Sequence, residues 1–168
     1  MEKVRVAIAN LCGCFGCEEE LRTADRRSRE YFDLVMYPPP PSDRPRRFPI
    51  GLIEGACASQ GNLATLHGLR EDCDLLVTLG ECARLGSLPR RCPRRSDPAR
   101  VSGVRVSTGT QTEFEHQSEE LSLVLESVFP CQWIVPIDFE VVGCPPSADE
   151  IWRLLERLVS SSRAQTAG

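Results

Sequence analysis

Three cysteines and two glycines fall within the eight residues Asn10–Cys17, directly after the apolar run Val4–Ala9. Cysteine packs well as a small hydrophobe, but packing in an apolar core does not require glycines between the cysteines. Gly13 and Gly16 allow positive φ angles and a tight fold of the backbone, so several sulfur atoms can converge on one point. The stretch therefore predicts a metal or iron–sulfur loop at the end of a strand.

The cysteine count also indicates the cellular compartment. The chain has nine cysteines in 168 residues, and this odd number argues against a complete disulfide framework. Residues 1–10 are too short and too charged for a secretory signal, and no apolar run reaches the roughly 18 residues that span a bilayer. We expect a cytoplasmic protein without membrane insertion, in which clustered cysteines serve metal or redox chemistry.

Charge and aromatic content argue against nucleic acid as a partner. The net charge is −4, and aromatic residues make up only 6% of the chain. The arginine groups do not alternate with aromatic residues, as they do in many nucleic-acid-binding domains. They form either a solvated surface or a docking site for an acidic partner. These groups are Arg26, Arg27 and Arg29; Arg44, Arg46 and Arg47; and the arginines from Arg90 to Arg100.

Strand and helix patterns alternate along the chain. Asp74–Leu79 is apolar almost throughout, which is typical of a strand buried on both faces of a parallel sheet. Alternation of this kind predicts an α/β fold, a flavodoxin-like doubly wound parallel sheet with the cluster-binding loops at the carboxyl ends of the strands. The predicted strands are Val4–Ala9, Phe32–Met36, Ile50–Ile53, Asp74–Leu79 and Trp133–Val142, and the predicted helices are Glu18–Glu30, Gln60–Arg70, Ser118–Val128 and Asp149–Val159.

One domain accounts for this pattern. We predict a single iron–sulfur-binding domain over residues 1–160 and a disordered tail over residues 161–168. The proline- and arginine-rich stretch Pro38–Arg47 and the polar region from Arg90 to about Ser118 are interpreted as loops.

The predicted sheet brings four cysteines to one edge. Cys14 and Cys17 follow the first strand, Cys82 follows the fourth, and Cys144 follows the last. Parallel strands end on the same rim, so the four thiols can meet there. Glu54, after the third strand, lies on the same rim, where it could act as a proton carrier, an occasional cluster ligand or a helix cap.

Four thiolates from three loops fit either a 4Fe–4S cluster or a tetrahedral zinc ion. Structural zinc sites usually combine two C-x-x-C pairs, whereas Cys82 and Cys144 each stand alone beside a glycine. That pattern favours iron–sulfur chemistry and leaves a zinc-stabilised interaction domain as the alternative. Cys12 is either a rival ligand or a neighbour that points away. The isolated cysteines are interpreted as ordinary core or surface residues: Cys57, Cys73, Cys92 and Cys131.

Four ordered motifs resemble those of the small subunit of nickel–iron hydrogenases. They are Cys14-Phe15-Gly16-Cys17, Glu54-Gly55, Gly80-Glu81-Cys82-Ala83 and Gly143-Cys144-Pro145-Pro146. The resemblance runs from about Val4 to Val159, and Val135-Pro136-Ile137-Asp138 is similar to the soluble, cytoplasmic, NAD-reducing (bidirectional) branch in particular.

The resemblance implies an electron-transfer subunit without an active site of its own. Cys14, Cys17, Cys82 and Cys144 would ligate one proximal 4Fe–4S cluster, and no residue of this chain would be catalytic. The nickel–iron centre would lie in a partner large subunit. The chain would relay electrons between that centre and a diaphorase-type module with flavin, iron–sulfur clusters and NAD(P), during reversible hydrogen oxidation.

Two features separate this chain from parts of the wider family. Many relatives have a glutamate just before the first ligand and a threonine after it, where this chain has Gly13 and Phe15. A proton route through those side chains is therefore not carried over, and Phe15 is interpreted as an apolar cover for the cluster.

The second alternative is a complex I-like subunit without hydrogenase activity. Such subunits usually show two adjacent cysteines in the first motif, which Cys14–Cys17 lacks.

Overall fold

A five-stranded parallel sheet forms the centre of the molecule. The computed structural model describes residues 3–28, 31–43, 45, 47–86 and 124–166. Its strands are β1 (Val4–Asn10), β2 (Phe32–Met36), β3 (Phe48–Glu54), β4 (Cys57–Ser59), β5 (Cys73–Leu79), β6 (Val124–Phe129) and β7 (Phe139–Val141).

The central sheet has the order β2-β1-β3-β5-β7, and every neighbouring pair in it is parallel. If only the strands of this sheet are counted, the order is 2-1-3-4-5, which is the flavodoxin-like arrangement. The fold class predicted from the sequence is confirmed.

Helices cover both faces of the sheet. They are α1 (Gly16–Ser28), α2 (Gln60–Asp72), the short α3 (Gly80–Leu85) and α4 (Ala148–Thr166). Val6 and Ile8 of β1 share an apolar cluster with residues of α1 and α4, whereas Ala7 and Ala9 share a second cluster with residues of α2. Successive side chains of a strand point to opposite faces, so the continuous apolar run of β1 serves two cores at once.

The helix predicted over Ser118–Val128 is wrong where the structure describes it. Val124–Phe129 is a strand that pairs in antiparallel fashion with β4, with Phe129 opposite Cys57 and Val124 opposite Ser59. Leu125 and Val128 do have helical spacing, but the stretch is rich in β-branched and aromatic residues, and pairing with β4 outweighs the period. Residues 118–123 and the predicted loop from 90 to 118 lie outside the described residues.

The carboxyl end of the chain also differs from the prediction. The last helix was predicted to end at Val159 but continues to Thr166, and residues 167 and 168 lie outside the described ranges. The disorder predicted over 161–168 stays a prediction. Residues 148–167 contain no proline or glycine, so no helix-breaking residue ends the helix once Leu155 and Leu158 have anchored it in the core. The predicted domain limits stay a prediction.

Two further segments frame the site. Only Phe139–Val141 of the predicted strand Trp133–Val142 is extended in the sheet, and it follows a 3-10 turn at Cys131–Trp133. Ser59 caps α2, because its hydroxyl accepts a hydrogen bond from the Asn62 N–H at 3.1 Å. In the part of the chain that the structure describes, no helix has the length and apolar character needed to cross a bilayer.

Candidate metal centre

The four cysteines predicted to meet at the rim line a common cavity. It lies at the carboxyl ends of β1, β3, β5 and β7. Its walls are formed by Cys14, Gly16, Cys17, Glu54, Glu81, Cys82, Gly143, Cys144 and Pro145. The structure thus brings together all four predicted ligands and the rim glutamate, from four separate segments of the chain.

The loop that carries the first two cysteines is held against the end of β3. The N–H of Cys12 donates to the carbonyl of Ala56 at 3.0 Å, and the N–H of Ala56 donates back to Cys12 at 2.8 Å. Gly55, directly before Ala56, has φ +85°, and a Cβ at this position would lie 2.7 Å from the carbonyl carbon of Cys12. The Glu-Gly pair of the second motif therefore has a backbone role, because only glycine allows this close approach.

Glu54 caps the helix that begins beside the cysteines. Its carboxylate accepts hydrogen bonds from the backbone N–H of Cys17 at 3.2 Å and of Glu18 at 2.6 Å. Burial raises the pKa of Glu54, the donated bonds from Glu18 and Cys17 lower it, and the charge of Glu18 raises it. Of the roles considered for this side chain, the structure shows the helix cap, in the wall of the same cavity.

The loops of the third and fourth cysteines contact each other directly. The N–H of Glu81 donates to the carbonyl of Gly143 at 3.0 Å. Gly80 has φ +77°, and a Cβ there would lie 2.6 Å from the sulfur of Cys17 and 3.1 Å from the Gly143 oxygen. The glycine before Cys82 therefore lets three cysteine-bearing segments close on one space.

The fourth loop runs directly into a well-capped helix. The hydroxyl of Ser147 accepts from the Glu150 N–H at 3.4 Å, and the Glu150 carboxylate accepts from the Ser147 N–H at 3.0 Å, which is a capping box. The carboxylate of Glu20 on α1 accepts from the Ala148 N–H at 3.0 Å. These bonds fix the segment after Cys144 to the helix that follows Cys17.

The thiols of this cavity repel one another when ionised. Burial raises the pKa of Cys17 to about 12, with further upward contributions from the charges of Glu54, Cys82, Cys14 and Cys144. Several thiolates at such short range need a cation to neutralise them, and metal ligation requires the thiolate form. The donor set therefore fits a positively charged metal group rather than free thiols.

The donor set suits two kinds of metal group. Four cysteine thiolates are the usual ligands of a 4Fe–4S cluster, and they also form the tetrahedral site of a structural zinc ion. Within the ranges described above, no group of three or more His, Cys, Asp or Glu side chains is arranged to hold one metal ion.

The other cysteines in the described ranges are not part of the cavity wall. Cys12 is exposed, and its backbone is paired with Ala56. Cys57, Cys73 and Cys131 are buried, and burial raises their pKa values to about 11, 12 and 12. Such thiols are unreactive core residues, as expected from their isolation in the sequence. Cys92 lies outside the described residues.

Phe15 does not cover the cavity. Its side chain is 60% exposed and is not part of the cavity wall, and its backbone has φ +63°, a conformation that a non-glycine residue rarely adopts. The sequence-based interpretation of Phe15 as an apolar cover is therefore wrong for this chain by itself. The positive φ turns the chain into α1, whose first helical bond runs from the Glu19 N–H to the Phe15 carbonyl at 3.1 Å.

Sequence reasoning missed an ion-pair group beside the third cysteine. Arg84 donates to the carboxylate of Glu140 at 2.7 Å and lies 3.5 Å from that of Glu81, which is a residue of the cavity wall. The spacing of Glu81 and Arg84 on one helix was a signal for that pair. No signal in the sequence connects Arg84 with Glu140, because the contact depends on the pairing of β5 with β7.

The fold and site define a class: a flavodoxin-like α/β protein with a four-cysteine site at the carboxyl rim of its sheet. The chain belongs to the family described as NADH ubiquinone oxidoreductase, 20 Kd subunit, whose model matches residues 14–158.

The chain is similar in sequence to subunits of hydrogenases. The chain is 30% identical to the delta subunit of the NAD-reducing hydrogenase HoxS of Cupriavidus necator, over 94% of this chain and 79% of that subunit. It is 27% identical to a subunit of the F420-non-reducing hydrogenase vhu of Methanocaldococcus jannaschii, over 90% of this chain but only 56% of that one.

A solved structure agrees with both findings. A chain from the crystal structure of an NAD+-reducing NiFe hydrogenase in its H2-reduced state superposes with a TM-score of 0.75 at 31% identity, over 95% of this chain and 93% of that chain. The comparisons confirm the prediction that this chain is a small subunit of the hydrogenase type.

Proposed function

We propose that the chain is the electron-transfer small subunit of a nickel–iron hydrogenase and that Cys14, Cys17, Cys82 and Cys144 hold one 4Fe–4S cluster. The observation that carries the proposal is the cavity at the carboxyl rim, which these four side chains line. The chain that carries these cysteines is similar in sequence and in fold to subunits of NAD-reducing hydrogenases.

The residues present fit such a cluster. A bound 4Fe–4S cluster would supply one-electron redox chemistry, and four cysteine thiolates are its usual ligands. Mutual repulsion of the thiolates around Cys17 calls for a cationic group. The single C-x-x-C pair, with Cys82 and Cys144 standing alone, supports a cluster over a structural zinc ion. Gly80 keeps the wall next to the Cys17 sulfur free of a side chain.

The exposure of the site supports a partner that covers it. Cys17 and Cys82 are buried, whereas Cys14 and Cys144 are exposed in this chain alone. Phe15 and Val142 next to them are 60% and 55% exposed. A large subunit with the nickel–iron centre would bury this rim, and a diaphorase-type module with flavin and iron–sulfur clusters would exchange the electrons with NAD(P). We expect the assembly to be cytoplasmic, because clustered free cysteines are typical of a reducing compartment.

A complex I-like subunit without hydrogenase activity is the second candidate. The description of the matching family, a subunit of NADH ubiquinone oxidoreductase, favours it. The hydrogenase relatives and the separated cysteines of Cys14–Cys17 favour the first candidate. In both candidates Cys14, Cys17, Cys82 and Cys144 would be the ligands, so the experiment that separates the candidates examines the partner subunit and its metal.

The test is an anaerobic purification of the chain in complex with the subunits that co-purify with it. We expect bound nickel, hydrogen-dependent reduction of a dye, and iron with acid-labile sulfide. In the same complex, Cys144→Ser should lose iron and dye reduction, because a ligand is removed. Cys12→Ser, which changes an exposed cysteine of the same region, should keep both.

The contrary results are distinct. A complex with iron but without nickel or hydrogen-dependent activity would favour the complex I-like candidate. Stoichiometric zinc without iron would exclude both the hydrogenase candidate and the complex I-like candidate. Loss of iron in Cys12→Ser with full retention in Cys144→Ser would overturn the ligand assignment alone.

A further inference from the structure

Arg84 joins the two segments that carry the third and fourth cysteines. It lies on α3, two residues after Cys82, and Glu140 lies on β7, four residues before Cys144. The Nε of Arg84 donates to Glu140 at 2.7 Å, and its Nη1 lies 3.5 Å from the carboxylate of Glu81. Together with the bond from Glu81 N–H to Gly143, this is the second link between the two segments.

The group formed by Glu81, Arg84 and Glu140 carries more negative than positive charge. Two carboxylates share one guanidinium, and Glu81 belongs to the cavity wall. The side chains of Arg84 and Glu140 are about one-third exposed, at 33% and 34%, so water and salt screen their fields only in part. A planar guanidinium can contact both carboxylates at once, which the compact ammonium of lysine does less well.

Resting on the proposed function, we propose that Arg84 is a positioning residue that raises the reduction potential of the cluster by neutralising the carboxylates of Glu81 and Glu140. Reduction adds one negative charge to the cluster. An uncompensated carboxylate near it disfavours that charge, and a guanidinium favours it. The motif residue Glu81 would by itself make the cluster harder to reduce, and Arg84 offsets this effect.

The test is a redox titration of the cluster signal by electron paramagnetic resonance in the purified complex. Arg84→Gln is expected to lower the equilibrium constant for reduction about threefold to tenfold; a tenfold change is 59 mV for one electron. Glu140→Gln should shift the potential in the opposite direction. The double variant should lie between the two, because the lost charges cancel. Arg84→Lys, which keeps the charge, should lie closer to the parent than Arg84→Gln.

Potential shifts of opposite sign in Arg84→Gln and Glu140→Gln distinguish an electrostatic role from a merely structural one. Damage to the loops would change the reduction potential of both variants without regard to the charge that was removed. The Arg84→Gln shift should also shrink at high salt. Arg157→Gln, which changes an exposed arginine on α4, is the matched control and should leave the potential unchanged.

Each outcome decides. An unchanged potential in Arg84→Gln with full iron content overturns the proposal, and so does a shift of the same sign in Arg84→Gln and Glu140→Gln. If Arg84→Gln loses iron, Glu140→Gln decides by itself: an upward shift supports the proposal, and none overturns it. The iron content of the parent complex tests the proposed function separately, because a parent without iron overturns the cluster before any variant is compared.

Discussion

At Gly80 the backbone leaves no room for a side chain. The residue has a positive φ, and the sulfur of Cys17 and the carbonyl of Gly143 crowd the place where a Cβ would stand. Gly55 has the same role against the backbone of Cys12. The spacing between cysteine-bearing segments is therefore set by glycines as well as by the cysteines themselves.

Gly80→Ala tests this role at the level of one residue. The added methyl group would lie 2.6 Å from the Cys17 sulfur, so we expect a loss of stability on the order of 1–3 kcal/mol and a lower iron content. Gly61→Ala is the control, because a Cβ there would meet only the Ser59 hydroxyl at 3.7 Å, and it should be neutral or stabilising by up to about 1 kcal/mol. Denaturant unfolding and iron analysis measure both effects. Equal behaviour of the two variants would contradict the role of Gly80.

At the level of elements, the side chain and the backbone N–H of Asp138 hold the segment before β7 to β5 and α2. The carboxylate of Asp138 accepts from the Leu76 N–H at 2.7 Å and pairs with Arg70 at 2.8 Å, while the Asp138 N–H donates to the Leu76 carbonyl at 3.0 Å. Arg70 also donates to the carbonyls of Cys73 and Asp74. This network fixes where β7 starts and therefore where Cys144 emerges.

Asp138→Ala should loosen that edge of the sheet. It removes the acceptor of a partly buried N–H and the partner of Arg70, so we expect a loss of about 1–3 kcal/mol in the free energy of unfolding. Asp74→Ala breaks only a pair with Arg47 in which both side chains are more than half exposed, and it should cost no more than about 1 kcal/mol. Urea unfolding of both variants measures the difference. An equal cost would show that the Asp138 network does not anchor β7.

The elements also show what a sequence can and cannot predict. β5 was predictable because a strand buried on both faces leaves an almost continuous apolar run. β6 was not, because Leu125 and Val128 have helical spacing and the strand depends on pairing with β4, across 65 to 72 positions of sequence. The contact between Arg84 and Glu140 has no local signal for the same reason.

At the level of the whole molecule, the parallel order of the sheet assembles the site. Because all five strands of the central sheet run in one direction, the segments after β1, β3, β5 and β7 meet at one rim. That convergence could be predicted from strand order and cysteine positions alone. Which of the three roles considered for Glu54 it takes could not, since the helix cap depends on side-chain geometry within the rim.

We propose that Cys14, Cys17, Cys82 and Cys144 hold one 4Fe–4S cluster. Mössbauer spectroscopy of the iron-57-enriched complex of this chain with its large subunit can identify that cluster. Besides the iron of the nickel–iron centre, we expect about four iron atoms per chain in a single 4Fe–4S centre, with all four lost or altered in Cys144→Ser. A complex that contains zinc in place of this iron, or whose 4Fe–4S spectrum is unchanged in Cys144→Ser, would contradict it.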